Sequence, residues 1–284
     1  MNEIDYTKLV EPAASVFCAK LQKPDNLNDD WLEASQHNYT LAEHKVWDRL
    51  YKRQMDILPN RACDQFFDGL KLLNFDQGGV PDFGKTNEIL KSHTGWTVVP
   101  VPMLIPDHVF FYHLANKRFP AGNFIRKMEQ FDYIQEPDVF HDAFGHVPLL
   151  TDPAFGHYMQ AYGRAGWKAL QYNHLKALSA LYWYTVEFGL LNTDQGLRIY
   201  GAGILSSPEE SKYALEAKSP NRIHLNVDRV MRTDYTIDDL QKSYFIINGF
   251  EQLFKQTEER PFDDIYKNIG PSFQYASSAV LDTD

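Results

Sequence analysis

Leu178-Ser179-Ala180-Leu181-Tyr182-Trp183-Tyr184-Thr185-Val186-Glu187-Phe188-Gly189-Leu190-Leu191 is apolar almost all round. A helix without a polar stripe belongs inside a core. This segment therefore points to a mainly α domain wrapped around an internal helix. Glu187 is its single charged side chain. A carboxylate taken out of water is paired or binds a metal. A salt bridge to an arginine and a place in a metal centre are both open at this point.

The surroundings of the segment agree with a helical class. Residues 155–192 and 236–258 read as helices. Leu41 to Tyr51 repeats its apolar positions at three and four, and 61–73 reads as a helix stopped by Asn74. Minor β structure is expected at Thr97 to Pro102, whose β-branched residues and prolines suit an edge strand. Ala202 to Ser207 and Ile223 to Val227 are two further short strand candidates. Gln77 to Gly84 is turn-rich. No linker divides the chain. The expected organisation is a loosely held segment over 1–30, one domain over 31–270, and a disordered tail over 271–284, rich in Ser, Ala, Thr and Asp.

Composition bounds the function. The chain has 284 residues, 44% of them hydrophobic and 14% aromatic, enough for a core without staples. Its 28 basic and 38 acidic residues leave a net charge of −10. That argues against nucleic acid or an anionic membrane as partner. Cys18 and Cys63 are its two cysteines, too few for a disulfide framework, a zinc ribbon or an iron–sulfur cluster. With no apolar run near 20 residues, a cytoplasmic protein is expected.

Ten histidines invite a search for ligand spacing. His141-Asp142-Ala143-Phe144-Gly145-His146 sets two of them five apart, as do His108 and His113. On a regular helix that spacing splays side chains by about 140°. The first pair has a context the second lacks. Glu136-Pro137-Asp138 supplies a helix start, Gly145 a break and Pro148 a stop, so His146 is expected to swing back toward His141. His108 and His113 read as ordinary satisfied histidines. With Glu187, two imidazoles and one carboxylate make the set assigned to non-haem Fe(II) oxygenases, with one face of the metal left open.

Three motifs then stand in order: Glu136-Pro137-Asp138…His141-Asp142…Gly145-His146-Val147-Pro148, Tyr182-Trp183-Tyr184-Thr185-Val186-Glu187-Phe188-Gly189, and Tyr200-Gly201-Ala202-Gly203-Ile204-Leu205-Ser206-Ser207. From about residue 40 to about residue 270 the chain resembles the catalytic domain of the aromatic amino acid hydroxylases, most of all their short bacterial members. The resemblance implies that family's catalytic-domain fold and a tetrahydropterin- and Fe(II)-dependent monooxygenase. Its expected reaction converts L-phenylalanine to L-tyrosine with O2. Iron is expected on His141, His146 and Glu187. The pterin is expected against Phe110, Leu104, Ile105 and Asp142. The amino acid is expected at Arg126, Trp183 and Phe188, with Ser206 orienting the first iron histidine. A guanidinium suits the substrate carboxylate because it binds it through two parallel hydrogen bonds.

Ile134-Gln135 departs from the Thr-Pro of the animal enzymes, so no substrate contact carries over there. No tetramerising heptads are visible, and a monomer is expected. Tyrosine or tryptophan hydroxylation is the alternative within the family. A zinc hydrolase, for which no His-Glu-x-x-His occurs, and a non-catalytic amino-acid-binding protein are more distant ones.

Overall fold

The computed structural model describes residues 36–102, 105–258, 262–270 and 272–284. The expected N-terminal segment 1–30, Cys18 and Leu104 lie outside the described residues. In chain order the helices are α1 (Leu41–Ile57), α2 (Asp64–Leu72), α3 (Phe83–His93), α4 (Asp107–Ala115), α5 (Pro153–Tyr172), α6 (Leu175–Tyr182), α7 (Ala202–Ser206), α8 (Glu210–Glu216), α9 (Val227–Met231), α10 (Phe250–Glu258) and α11 (Phe262–Asn268). Two segments, Phe140–His146 and Trp183–Glu187, are π-helices, and a 3₁₀ turn spans Val147–Thr151. Strands β1 (Thr97–Val101) and β2 (Arg118–Gly122) form a parallel pair. Strands β3 (Leu190–Thr193), β4 (Gly196–Ile199), β5 (Asn221–His224) and β6 (Ser243–Ile247) form a sheet in the order β4-β3-β6-β5.

Local chemistry sets the helix ends. Thr40 caps α1 through a reciprocal box: its hydroxyl accepts the Glu43 N–H at 3.3 Å, and Glu43 Oε2 accepts the Thr40 N–H at 2.7 Å. Asn74 takes the left-handed conformation (φ 57°) just after α2, where the helix was expected to stop. Asp152 opens α5 by accepting the Ala154 and Phe155 N–H groups, with Pro153 in the first turn.

The aromatic content is spent on the centre of the core. Phe140 and Phe144 stack at 4.7 Å on the inner side of the first π-helix. Trp47 of α1 meets Phe140 edge-on at 5.2 Å, and Phe66 of α2 meets Phe144 at 5.3 Å. Each such pair adds about 0.5–1.5 kcal/mol beyond its buried area. This packing fixes the back of the segment that carries His141 and His146.

The structure corrects several elements. Residues 202–206 are helical, because Gly201 and Gly145 allow a tight turn to seat against the π-helices. A Cβ at Gly201 would stand 2.4 Å from the Glu187 carbonyl oxygen. The segment 155–192 breaks at Asn173 (φ 58°), ends its helical part at Glu187 and continues as β3. The segment 236–258 holds a strand, β6, before α10. Ser243-Tyr-Phe-Ile-Ile is buried on both faces as an inner strand, and periodicity cannot tell such a run from a buried helix. Of Ile223 to Val227, only Ile223 and His224 are strand, and Val227 starts α9. The tail was expected to be disordered, yet residues 272–284 fold back onto the domain. Arg229 binds Asp284 at 3.1 Å and the Ala279 carbonyl at 2.8 Å, and Tyr275 bridges to Thr233. These directed bonds outweigh the polar composition. Among the described residues no helix is long and apolar enough to cross a membrane.

Candidate metal centre and substrate cavity

His141 and His146 lie on the same π-helix. Its i→i+5 hydrogen bonding stacks residues five apart, where an α-helix would splay them. The expected break at Gly145 is thus replaced by a widened turn that runs through it. The two rings stand 5.1 Å apart at 84°. Glu187 ends the second π-helix, and Phe188 N–H closes that turn on the Trp183 carbonyl at 2.9 Å. Glu187 Oε1 lies 3.1 Å from His146 Nε2, and its Oε2 lies 3.5 Å from His141 Nε2. One carboxylate therefore meets both imidazoles, one oxygen to each. Ligand atoms about 2.1 Å from a shared ion and at right angles stand about 3 Å apart, so this donor set fits a divalent cation.

Each ligand candidate has its own support. His141 Nδ1 bonds the Ser206 hydroxyl at 2.9 Å, and that hydroxyl is tied to the Ala202 carbonyl at 2.8 Å. Such outer contacts fix ring orientation and tautomer. His146 is held by packing, between Phe119 at 5.0 Å and Tyr182 at 6.2 Å. Burial disfavours charge on Glu187, but the two histidines and a Gly203 backbone hydrogen bond outweigh it, and its carboxyl is held below the usual range. Burial likewise disfavours His146⁺, and the facing Glu187 reverses the balance and raises it.

A second acid stands close. Ligand atoms of His141, Asp142 and His146 all lie within 4.8 Å of one another. Asp142 Oδ2, however, accepts the Gly122 N–H at 2.6 Å, so the backbone of β2 already holds one oxygen. A Cβ at Gly122 would come 3.2 Å from that oxygen, which explains a glycine there. Burial pushes the Asp142 carboxyl up, against the pull of both histidines.

The three candidate ligands and Asp142 line a cavity that opens to solvent. Ile105, Phe110, Phe119, Pro120 and Tyr182 supply its apolar walls. Phe110 packs edge-on against Tyr182 at 5.8 Å. Ser206 sits behind His141 rather than in the cavity. Trp183 and Phe188 flank Glu187 at either end of its π-helix and pack together at 4.8 Å, with Tyr235 stacked on Trp183 at 5.0 Å. Arg126 is not an exposed arginine waiting for an anion. It is buried, and its fork grips Asp138 through Nε–Oδ2 at 2.8 Å and Nη2–Oδ1 at 2.9 Å. Burial opposes the Asp138 charge, but Arg126 more than compensates and holds the carboxyl below its usual range. His113 is buried and His108 half-buried on α4, and neither lines the cavity.

The sequence matches the biopterin-dependent aromatic amino acid hydroxylases over residues 32–278. The chain belongs to this family. Among family members similar to it, phenylalanine-4-hydroxylase of Caulobacter vibrioides is 56% identical over 247 residues, covering 87% of this chain and 84% of that protein. That of Chromobacterium violaceum is 50% identical, covering 90% and 86%. The fold agrees: the crystal structure of the Chromobacterium violaceum enzyme with bound oxidised Fe(III) superposes with a TM-score of 0.86 at 49% identity, covering 90% of this chain and 93% of that one. The same enzyme bound to cobalt gives 0.87. The hydroxylase fold and the mainly helical class expected from the motifs are thereby established.

Asp138 and Tyr182 escaped the sequence reading as site residues. Asp138 had a signal, an acid three residues before His141 that accepts its N–H at 3.1 Å. Tyr182 was hidden in the apolar run 178–191.

Proposed function

We propose that this chain is a phenylalanine 4-monooxygenase that uses Fe(II), a tetrahydropterin and O2 to make L-tyrosine. The observation that carries this reading is the meeting of two imidazole Nε2 atoms and the Glu187 carboxylate at one side of the cavity, in a member of the hydroxylase family. Bound iron and the pterin, the source of two electrons, supply the activation of O2. The protein's share is positioning. Glu187 is the anionic ligand in this reading, because it opposes both histidines and Asp142 is partly taken by Gly122. Phe110 offers a ring face to the pterin, with Ile105 beside it and Asp142 as an acceptor for its N–H groups. Leu104 is proposed as a backbone contact on resemblance alone. Trp183 and Phe188 form the wall for the substrate ring. Arg126 meets the substrate carboxylate with Nη1, the nitrogen not used on Asp138.

The test is incubation with Fe(II), tetrahydropterin, O2 and each aromatic amino acid in turn, followed by product analysis. Tyrosine formed from phenylalanine, only when iron and pterin are both present, is the expected result. Preferred turnover of tyrosine or tryptophan would reassign the substrate, and no pterin-dependent product from any of the three would overturn the reading.

Ser206→Ala gives a finer check on the first histidine. Loss of an outer-shell contact costs about 10–100-fold in metal affinity. We expect Fe(II) binding, measured by competition with a ferrous chelator, to weaken within that range while the circular dichroism spectrum is unchanged.

A further inference from the structure

The indole nitrogen of Trp183 is held by a buried side chain. Its indole Nε1–H donates to Gln241 Oε1 at 3.0 Å. Gln241 lies in the irregular stretch between Tyr235 and β6 and is 1% exposed, although its neighbours 237–239 are exposed. Its amide orientation is set from both ends. Nε2–H donates to the Thr236 carbonyl at 2.8 Å and the Asp239 carbonyl at 3.3 Å, so only Oε1 is left to face the indole. Its backbone N–H donates to Glu210 Oε1 at 3.1 Å, and the same carboxylate oxygen accepts the Tyr244 hydroxyl from β6. Glu210 and Tyr244 are both buried. The amide is thus fixed to α8 and to the sheet, and passes that rigidity to Trp183. Trp183 in turn stacks on Tyr235 and packs at a tilt against Phe188.

We propose that Gln241 is a specificity-determining positioning residue, which sets the tilt of Trp183 and so the width of the slot offered to the substrate ring. The proposal rests on the reading of Trp183 and Phe188 as the substrate wall. Without the Oε1 acceptor the indole N–H is unpaired, and only packing against Phe188 and Tyr235 sets the tilt of the ring. Gln241 bonds Trp183 and none of the residues that line the cavity around Phe110, so its influence falls on the amino acid and spares the pterin.

The experiment is a double-mutant cycle on the iron-loaded enzyme. Gln241→Met conserves volume and removes the acceptor. It is expected to raise the KM for L-phenylalanine about fivefold, the effect of one lost hydrogen bond, with the KM for tetrahydropterin unchanged. The preference for phenylalanine over the larger tryptophan should fall by a similar factor. Trp183→Phe should alter the same two readouts, and adding Gln241→Met to it should change neither by more than about twofold. Gln241→Ala removes the same acceptor without placing a new group there and should shift the same two readouts in the same direction. An equal rise in both KM values, or an undiminished Gln241→Met effect in the Trp183→Phe background, would overturn the proposal. So would an unchanged preference in Gln241→Ala, which decides the matter if Gln241→Met does not fold. If Trp183→Phe alone moves neither readout, it is the substrate-wall reading that fails.

Discussion

Glu187→Ala protein reconstituted with Fe(II) is expected to bind the metal more than about a hundredfold more weakly than the parent, beyond the loss caused by removing an outer partner. Pterin-dependent hydroxylation should fall below detection. The fold should survive, because the two imidazoles left behind can stay neutral and leave no uncompensated buried charge. The competing acid makes the experiment decisive. Asp142→Asn keeps the Gly122 contact through its amide oxygen, since only Oδ2 is used there. It should retain stoichiometric iron. Iron content by metal analysis reads both variants. Full iron in Glu187→Ala together with iron loss in Asp142→Asn would transfer the carboxylate role to Asp142, whose ligand atoms also lie within 4.8 Å of the histidines.

Asp138→Asn carries the largest expected effect on stability. Asp138 is fully buried and Arg126 is 6% exposed. The carboxylate accepts the guanidinium twice, the Arg126 backbone N–H at 2.9 Å and the His141 N–H at 3.1 Å. Neutralising it leaves a buried guanidinium without its counter-charge, which costs about 3–5 kcal/mol. At roughly 2–4 °C per kcal/mol for a chain near this size, Tm should fall by about 10 °C. The pH dependence has a definite sign. The Asp138 carboxyl is held below its unfolded value, so its contribution is fully present above about pH 4 and is lost as pH falls through the folded value. Urea midpoints of parent and variant should therefore differ most at neutral pH and converge below about pH 4. A constant gap across that range would show that the charge is not what Asp138 contributes.

The chemistry of the site was more legible than its geometry. Two histidines in an acidic, Pro- and Gly-marked context and one acid in an apolar run are signals of residue type, and residue type survives in sequence. The reason the histidines align was not legible. A spacing of five contradicts the 3.6 period, and only a change of helix type resolves it. Strand β6 was missed because an inner strand apolar on both faces looks like a buried helix. Helix α7 differs from the expected strand because Ala202-Gly203-Ile204 has no periodicity and its cause, close approach to Glu187 and Gly145, is tertiary. Arg126 is expected to meet the substrate carboxylate. Its grip on Asp138 depends on a return of the chain 12 residues later, which no local pattern announces. Gln241 had no sequence signal, since one glutamine in a polar stretch differs from its neighbours only through burial.

Both carriers of the centre, Phe140–His146 and Trp183–Glu187, are coils with a surplus residue per turn. A chain of L-residues gains nothing locally from that surplus, because the tighter spiral bonds better and packs without a gap along its axis. Excising one residue from either stretch would let it relax into the ordinary spiral with both flanks still in phase, whereas the same cut in α1 or α5 turns every later side chain by about 100°. Four apart on that spiral, the two histidines would stand about 40° from each other and could still share an ion. The surplus residue is therefore a local bulge whose flanks do not depend on it, and loss of one residue there should be better tolerated than in the regular helices around it.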